Sequence, residues 1–237
     1  RRVLFRSQPS SVAFWYADEP PLPELSQFEW VVVEPGHVSP SDLAYLKAQG
    51  STVFAYLSVG EYDGDLAAAG LQGAASTIRN SAWNSQVMQL SASAWREHLL
   101  AQARALEQQG YVGLFLDTLD SFLLLPEGRR EAERVALRDF LRQLHRELPE
   151  LKLIFNRGFE VLPELPGVAS AVAVESIHAG WDAGRSRYRA VPQADRDWLD
   201  IHLDPLRAQG VPLIAIDYLP STQREEARAL AERLRGE

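Results

Sequence analysis

Seven short apolar runs, rich in β-branched and aromatic residues, recur along the chain. They are residues 12–17 (VAFWYA), 30–34 (WVVVE), 52–58 (TVFAYLS), 112–117 (VGLFLD), 151–156 (LKLIFN), 171–176 (AVAVES) and 212–218 (PLIAIDY). These runs are continuously apolar instead of alternating with polar residues, so each predicts a strand buried on both faces. Between them the period changes. Ser39-Pro40-Ser41-Asp42 opens a helix with proline in the first turn, and Gly50 closes it. Residues 94–109 space Leu and Ala at helical intervals up to Gly110, and residues 129–147 set Ala132, Val135, Ala136, Phe140 and Leu144 on one stripe.

Three helix-to-strand junctions repeat one another: LKAQGSTVFAYL, LEQQGYVGLFLD and LRAQGVPLIAID. Strand alternating with helix implies parallel strands joined by right-handed crossovers. At 237 residues the economical arrangement is an α/β (β/α)8 TIM-like barrel, with a doubly wound open sheet as runner-up. Only seven strands are legible, so the eighth is expected either beyond the stop at Gly236-Glu237 or in a strand elsewhere that fills the gap. Residues 1–237 read as one domain, with 1–10 a flexible N-terminal segment. The glycine-rich stretch from Gly60 to Ala92 reads as an irregular functional loop inserted over one end of the barrel.

Composition narrows the chemistry. With 46% hydrophobic and 24% charged residues the chain is an ordinary globule, and no apolar run approaches the roughly 20 residues that insert in a bilayer. A net charge of -8 argues against nucleic acid as a partner and suits a cationic ligand. The chain has no cysteine, which removes disulfides, zinc-thiolate sites and thiol nucleophiles. The five histidines, His37, His98, His145, His178 and His202, show no paired metal-ligand spacing, and His98, His145 and His202 are expected on helix surfaces. No phosphate loop, dinucleotide fingerprint or serine elbow is present, so neither metal nor cofactor is expected.

What remains is a set of acids at the C-terminal strand ends, the active face of a parallel barrel. Those ends read Tyr16 and Asp18, Glu34, Ser58 and Glu61, Asp117 and Asp120, Asn156 and Arg157, Glu175, and Asp217 with Tyr218. Asp120 and Asp18 could equally be helix caps. Acids converging from six strands point to a ligand, a cation or catalysis. A carboxylate pair with aromatics beside it fits glycoside hydrolysis.

FLDTLDSF, FNRGFEVLPEL, AVAVESIHAGWD and AIDYLP, with FAYLSVGEYD and WVVVEPGH, resemble glycoside hydrolase family 166, and more distantly the endo-α-1,4-polygalactosaminidases of family 114. The resemblance implies a barrel acting as a retaining endo-glycosidase on α-1,4-linked, partly de-N-acetylated N-acetylgalactosamine (Pel-type) polysaccharide. It places the catalytic acids on Asp117 and Glu175; analogy with other α-specific barrels makes Asp117 the nucleophile and Glu175 the acid/base, with the two roles open to exchange. It also implies a periplasmic or secreted location, a deacetylase domain elsewhere in the full-length protein, and other polysaccharide-export components as partners.

Around that pair, Glu34, Glu61, Asp120 and Asp217 are expected to orient sugar hydroxyls or attract amino groups, with Ser58 beside them. Tyr16, Tyr56, Tyr218 and Trp181 are expected to stack on sugar rings, and Asn156 to hydrogen-bond a sugar or Glu175. The alternative from another class is a catalytically silent barrel that binds and guides polymer.

Overall fold

The structure, a computed structural model, describes residues 9–236, with the backbone alone at 183 and 236. The expected flexible segment therefore falls largely outside the described residues. The chain forms two compact units, one through Ala171 and one from Val172 onward.

The first unit runs β1 (Val12–Trp15), α1 (Leu22–Leu25), β2 (Trp30–Val33), α2 (Pro40–Ala48), β3 (Thr52–Ser58), β4 (Glu61–Tyr62), β5 (Ala75–Asn80), β6 (Ser85–Met88), α3 (Ser93–Gln109), β7 (Gly113–Asp117), α4 (Glu127–Glu147) and β8 (Lys152–Asn156). Strands β1, β2, β3, β7 and β8 pair in that order, all parallel. Val31 to Val33, Val53 to Ala55, Leu114 to Leu116 and Leu153 to Phe155 are buried, as the continuous apolar runs require. Strand β1 departs from this, being only partly buried along its length. Strand β7 begins with glycine for a steric reason: a Cβ on Gly113 would sit 2.2 Å from the Lys152 carbonyl and 2.7 Å from the Phe54 ring.

Helix α2 starts on the expected motif. Ser39 Oγ accepts from the Asp42 amide, and the Asp42 carboxylate accepts from the Ser39 amide at 3.0 Å. On α4 the buried stripe is Glu133, Leu137, Phe140, Leu141 and Leu144, turned from the expected one, and Ala132 is exposed. The cause is Glu133, only 1% exposed, which faces inward to accept from the Ser91 amide (3.0 Å) and hydroxyl (2.5 Å) beside the start of α3.

Two sequence expectations are corrected here. Residues 60–92 are not irregular: β4, β6 and β5 form a small antiparallel sheet in that order. His98 is not a surface residue, since its ring stacks on Trp95 at 5.3 Å and meets Tyr62 edge-on, and burial lowers its pKa.

The second unit contains β9 (Ala171–Glu175) from Val172 onward, β10 (Ala179–Asp182), β11 (Arg187–Ala190), α5 (Gln193–Ala208), β12 (Leu213–Ile216) and α6 (Arg224–Gly236). Strands β9 and β12 are parallel, with Ile216 level with Glu175. Strands β10 and β11 form an antiparallel hairpin that the apolar pattern does not announce. No described helix is long and apolar enough to cross a membrane.

Candidate active site

In the first unit the candidate nucleophile is Asp117, the last residue of β7. Its two oxygens are held from the strands on either side. Tyr56, on β3, donates its hydroxyl to Oδ2 at 2.7 Å, and Asn156, the last residue of β8, donates Nδ2 to Oδ1 at 2.8 Å. Tyr56, expected from sequence to stack on a sugar ring, is a residue that aims Asp117. Burial first, and then the Asp117 charge, push the Tyr56 phenol far above its ordinary value, so it stays a donor at any working pH. Its ring packs edge-on against Tyr16 at 5.2 Å, and Tyr16 is 43% exposed.

The turn after Asp117 is tightly specified. Thr118 adopts φ +60°, unusual for a β-branched residue. Its Oγ1 accepts from the Gly60 amide at 2.8 Å and lies 2.9 Å from Ser58 Oγ, and the Asp117 carbonyl accepts from the Val59 amide at 3.0 Å. Only glycine fits at 60, where a Cβ would lie 2.2 Å from the Thr118 carbonyl oxygen. The same backbone conformation recurs after two other strand ends: Arg157 follows Asn156 at φ +56°, and Ser176 follows Glu175 at φ +59°.

The flanking acids divide by environment. Glu61 is 4% exposed, and its carboxylate is taken up by Asn80 Nδ2 (3.0 Å), Ser121 Oγ (2.6 Å) and Ser85 Oγ. It ties the inserted sheet to the turn after β7, where sequence reasoning expected a cleft acid. Ser58 is likewise engaged by protein, donating to the Glu61 carbonyl at 2.9 Å. Asp120, exposed as a residue, precedes a short 3-10 turn, Ser121–Leu124, which its side chain does not cap, while its carboxyl end lies close to Arg157, Asp117 and Glu61. Burial of its carboxyl group raises its pKa, Arg157 opposes that, and the charges of Asp117 and Glu61 add to it. Glu34, half-buried, directly follows β2 and accepts from the Gly36 amide at 3.4 Å; burial raises its pKa, against the lowering effects of that hydrogen bond and of His37. Asp18 pairs with His37 Nε2 at 3.3 Å.

In the second unit Glu175 ends β9, and Tyr218 donates its hydroxyl to Glu175 Oε2 at 2.6 Å. Asp217 accepts from the Ile177 amide (2.6 Å) and the His178 amide (3.1 Å), pinning the turn that follows Glu175. Tyr218 and Asp217 thus act on protein groups, in places where sugar contacts were expected. Trp181 is 44% exposed on β10, with Tyr188 of β11 edge-on at 4.9 Å. Thr118, Ser121, Asn80 and Ser85 were not anticipated. Only Thr118 carries a local signal, its place directly after a strand-end acid. Among the described residues no three His, Asp or Glu side chains are grouped to hold a metal ion.

Comparison with known proteins identifies an α/β glycosidase of the TIM-like (β/α)8 type. The model of glycoside-hydrolase family GH114 matches residues 7–236, and the chain belongs to that family, the more distant of the two that its motifs resemble. The glycoside hydrolase domain of PelA from Pseudomonas aeruginosa is 69% identical over 96% of this chain and 91% of that one, with a TM-score of 0.93. A glutamate-to-alanine variant of the same domain has the same identity and coverage, with a TM-score of 0.91. Aspergillus fumigatus Ega3, solved in complex with galactosamine, shares the fold at a TM-score of 0.63 and 12% identity, over 90% of this chain and 82% of that one. No curated protein matches the chain.

Proposed function

We propose that the chain is a retaining endo-glycosidase that cleaves α-1,4-linked, partly de-N-acetylated N-acetylgalactosamine polymer of the Pel type. The observation that carries this reading is Asp117, fixed at a strand end by a hydrogen-bond donor on each oxygen, in a chain 69% identical to the hydrolase domain of PelA. Held in one orientation, the carboxylate loses little freedom on attack, as a positioned nucleophile should. An Asp117 oxygen bonds to the anomeric carbon while the glycosidic C–O bond breaks, and Glu175 passes its proton to the leaving oxygen. Water, deprotonated by Glu175, then cleaves the glycosyl ester with a second inversion, giving net retention. The net charge of -8 favours a polymer bearing free ammonium groups. Such a polymer is met during or after export, which suits a periplasmic or secreted hydrolase working with a deacetylase and other export components.

The test is release of reducing ends from purified polymer, with the product anomer followed by NMR. Asp117→Asn should abolish release from both polymer and an activated aryl glycoside. Glu175→Gln should lose the polymer but keep the first step on the aryl glycoside, whose leaving group needs no proton. The reverse pattern would exchange the two roles. Folded wild-type protein that binds polymer without releasing ends would sink hydrolysis in favour of a guiding barrel.

A further inference from the structure

The inserted sheet of the first unit carries an aromatic that the proposed mechanism leaves unused. Trp83 stands in the turn 81–84 between β5 and β6 and is 78% exposed, more than any other large hydrophobic side chain among the described residues. A lone exposed aromatic is ordinary, but this one is held in place. Arg79 donates Nε to Asn84 Oδ1 at 2.9 Å and Nη2 to the Asn84 carbonyl at 2.5 Å, and Asn80 Oδ1 accepts from the Ala82 amide at 3.1 Å. Asn84 takes the left-handed backbone, φ +54°, which asparagine adopts more readily than most residues. A tryptophan presented on so braced a turn has already lost much of the freedom that a ligand would otherwise have to freeze.

The base of the turn reaches the active face. Asn80 and Ser85 stand opposite each other in the register of β5 and β6, and both donate to Glu61. Glu61 Oε1 also accepts from Ser121, in the segment that follows Asp117. Trp83 is two residues from Ser85, so the two Cα atoms lie within about 7 Å of each other. The indole therefore rises from the same buried carboxylate that fixes the chain just beyond the candidate nucleophile.

We propose that Trp83 is a second sugar-binding platform, on which a ring of the polymer stacks outside the cleavage site. The inference rests on the proposed polymer substrate and adds where the chain is gripped away from the catalytic pair. The chemistry of the turn favours a sugar over other occupants. Residues 80–86 (NSAWNSQ) carry no ionisable side chain, only amides and hydroxyls that can bond sugar oxygens. A tryptophan that anchors in lipid is instead accompanied by Lys and Arg free to meet headgroups, and here Arg79 is spent on Asn84. Asn84 gives its oxygen to Arg79, so its NH2 is the end left for a ligand oxygen. The indole offers a broad apolar face to the C–H side of a sugar ring, and it attracts an ammonium group as well, so it accepts the ring whether or not the amine is acetylated.

The test compares binding of purified polymer, by affinity electrophoresis, with binding of its tetrasaccharide, by calorimetry. Trp83→Ala should weaken polymer binding about tenfold, with tetrasaccharide binding and the urea midpoint close to wild type. Trp83→Tyr should keep most of the affinity. Arg79→Ala frees the turn but leaves the indole, and should weaken polymer binding about threefold even though it removes a charge that a cationic polymer would shun. Polymer binding unchanged in Trp83→Ala, or polymer and tetrasaccharide weakened alike, would overturn the inference. So would tighter polymer binding by Arg79→Ala. Reducing-end release is scored separately. A Trp83-dependent grip without release would sink the hydrolase reading and spare this one; release from polymer that Trp83→Ala holds as well as wild type would do the opposite.

Discussion

Tyr56 on β3 donates to Asp117 at the end of β7 across 2.7 Å, so the candidate nucleophile is aimed by the neighbouring strand. Tyr56→Phe keeps the ring packing and removes one hydrogen bond to a charged group, an interaction of about 1.5–3 kcal/mol. The turnover number should fall about 10- to 100-fold with KM nearly unchanged, and the melting temperature should drop by several degrees. Wild-type turnover in this variant would show that Asp117 needs no such aim.

Gly60 faces the Thr118 carbonyl, with no room for a methyl group. Gly60→Ala should cost about 1–3 kcal/mol by overpacking, read from urea midpoints, and should lower activity because the displaced backbone carries Asp117 with it. Loss of stability with full activity would uncouple that turn from the site.

Glu61 serves as a buried anchor for Asn80, Ser85 and Ser121. Glu61→Ala strands these donors in the interior and should destabilise the fold by about 3 kcal/mol, seen in denaturant unfolding. A variant of normal stability with weakened polymer binding would return Glu61 to the cleft role expected from sequence.

Asp120 has a pKa raised above its ordinary 3.8, chiefly by burial, so ionising it is harder in the folded chain than in the unfolded one. The stability it contributes is complete below the unfolded value and lost as pH rises through the folded one. Asp120→Asn cannot ionise. It should therefore gain on wild type in unfolding midpoint between acidic and neutral pH, with no advantage left below about pH 3. A constant difference across that range would contradict the assignment.

The parallel strands were legible because a strand buried on both faces must be apolar at every position, as Val31 to Val33 and Leu114 to Leu116 are. The inserted sheet and the β10–β11 hairpin were not, for the opposite reason. Residues 187–190 are exposed throughout and 75–80 are half wet, so neither carries an apolar run. Asp117 and Glu175 stood out as acids closing buried strands. Tyr56 and Tyr218 were marked as site aromatics, but their role as partners of those acids was not legible, nor was Thr118, because these contacts form only when neighbouring strands or turns come together and no local period records that approach. Glu61 and Asp217 show the limit of reading strand ends: position marks an acid as near the active face but leaves open whether it turns to solvent or to the protein's own amides and hydroxyls.

Thr118, Arg157 and Ser176 hold a left-handed backbone that glycine or asparagine would adopt more easily, at a cost of order 1 kcal/mol each. Selection for heat resistance alone would therefore push those positions toward glycine. Ser176 would yield first, while Thr118 would resist, because its hydroxyl also fastens Gly60. Directed evolution of a hardier protein would then trade away the firmness of the turn after Glu175 before that after Asp117, and under the proposed mechanism its survivors should show their earliest losses in proton delivery.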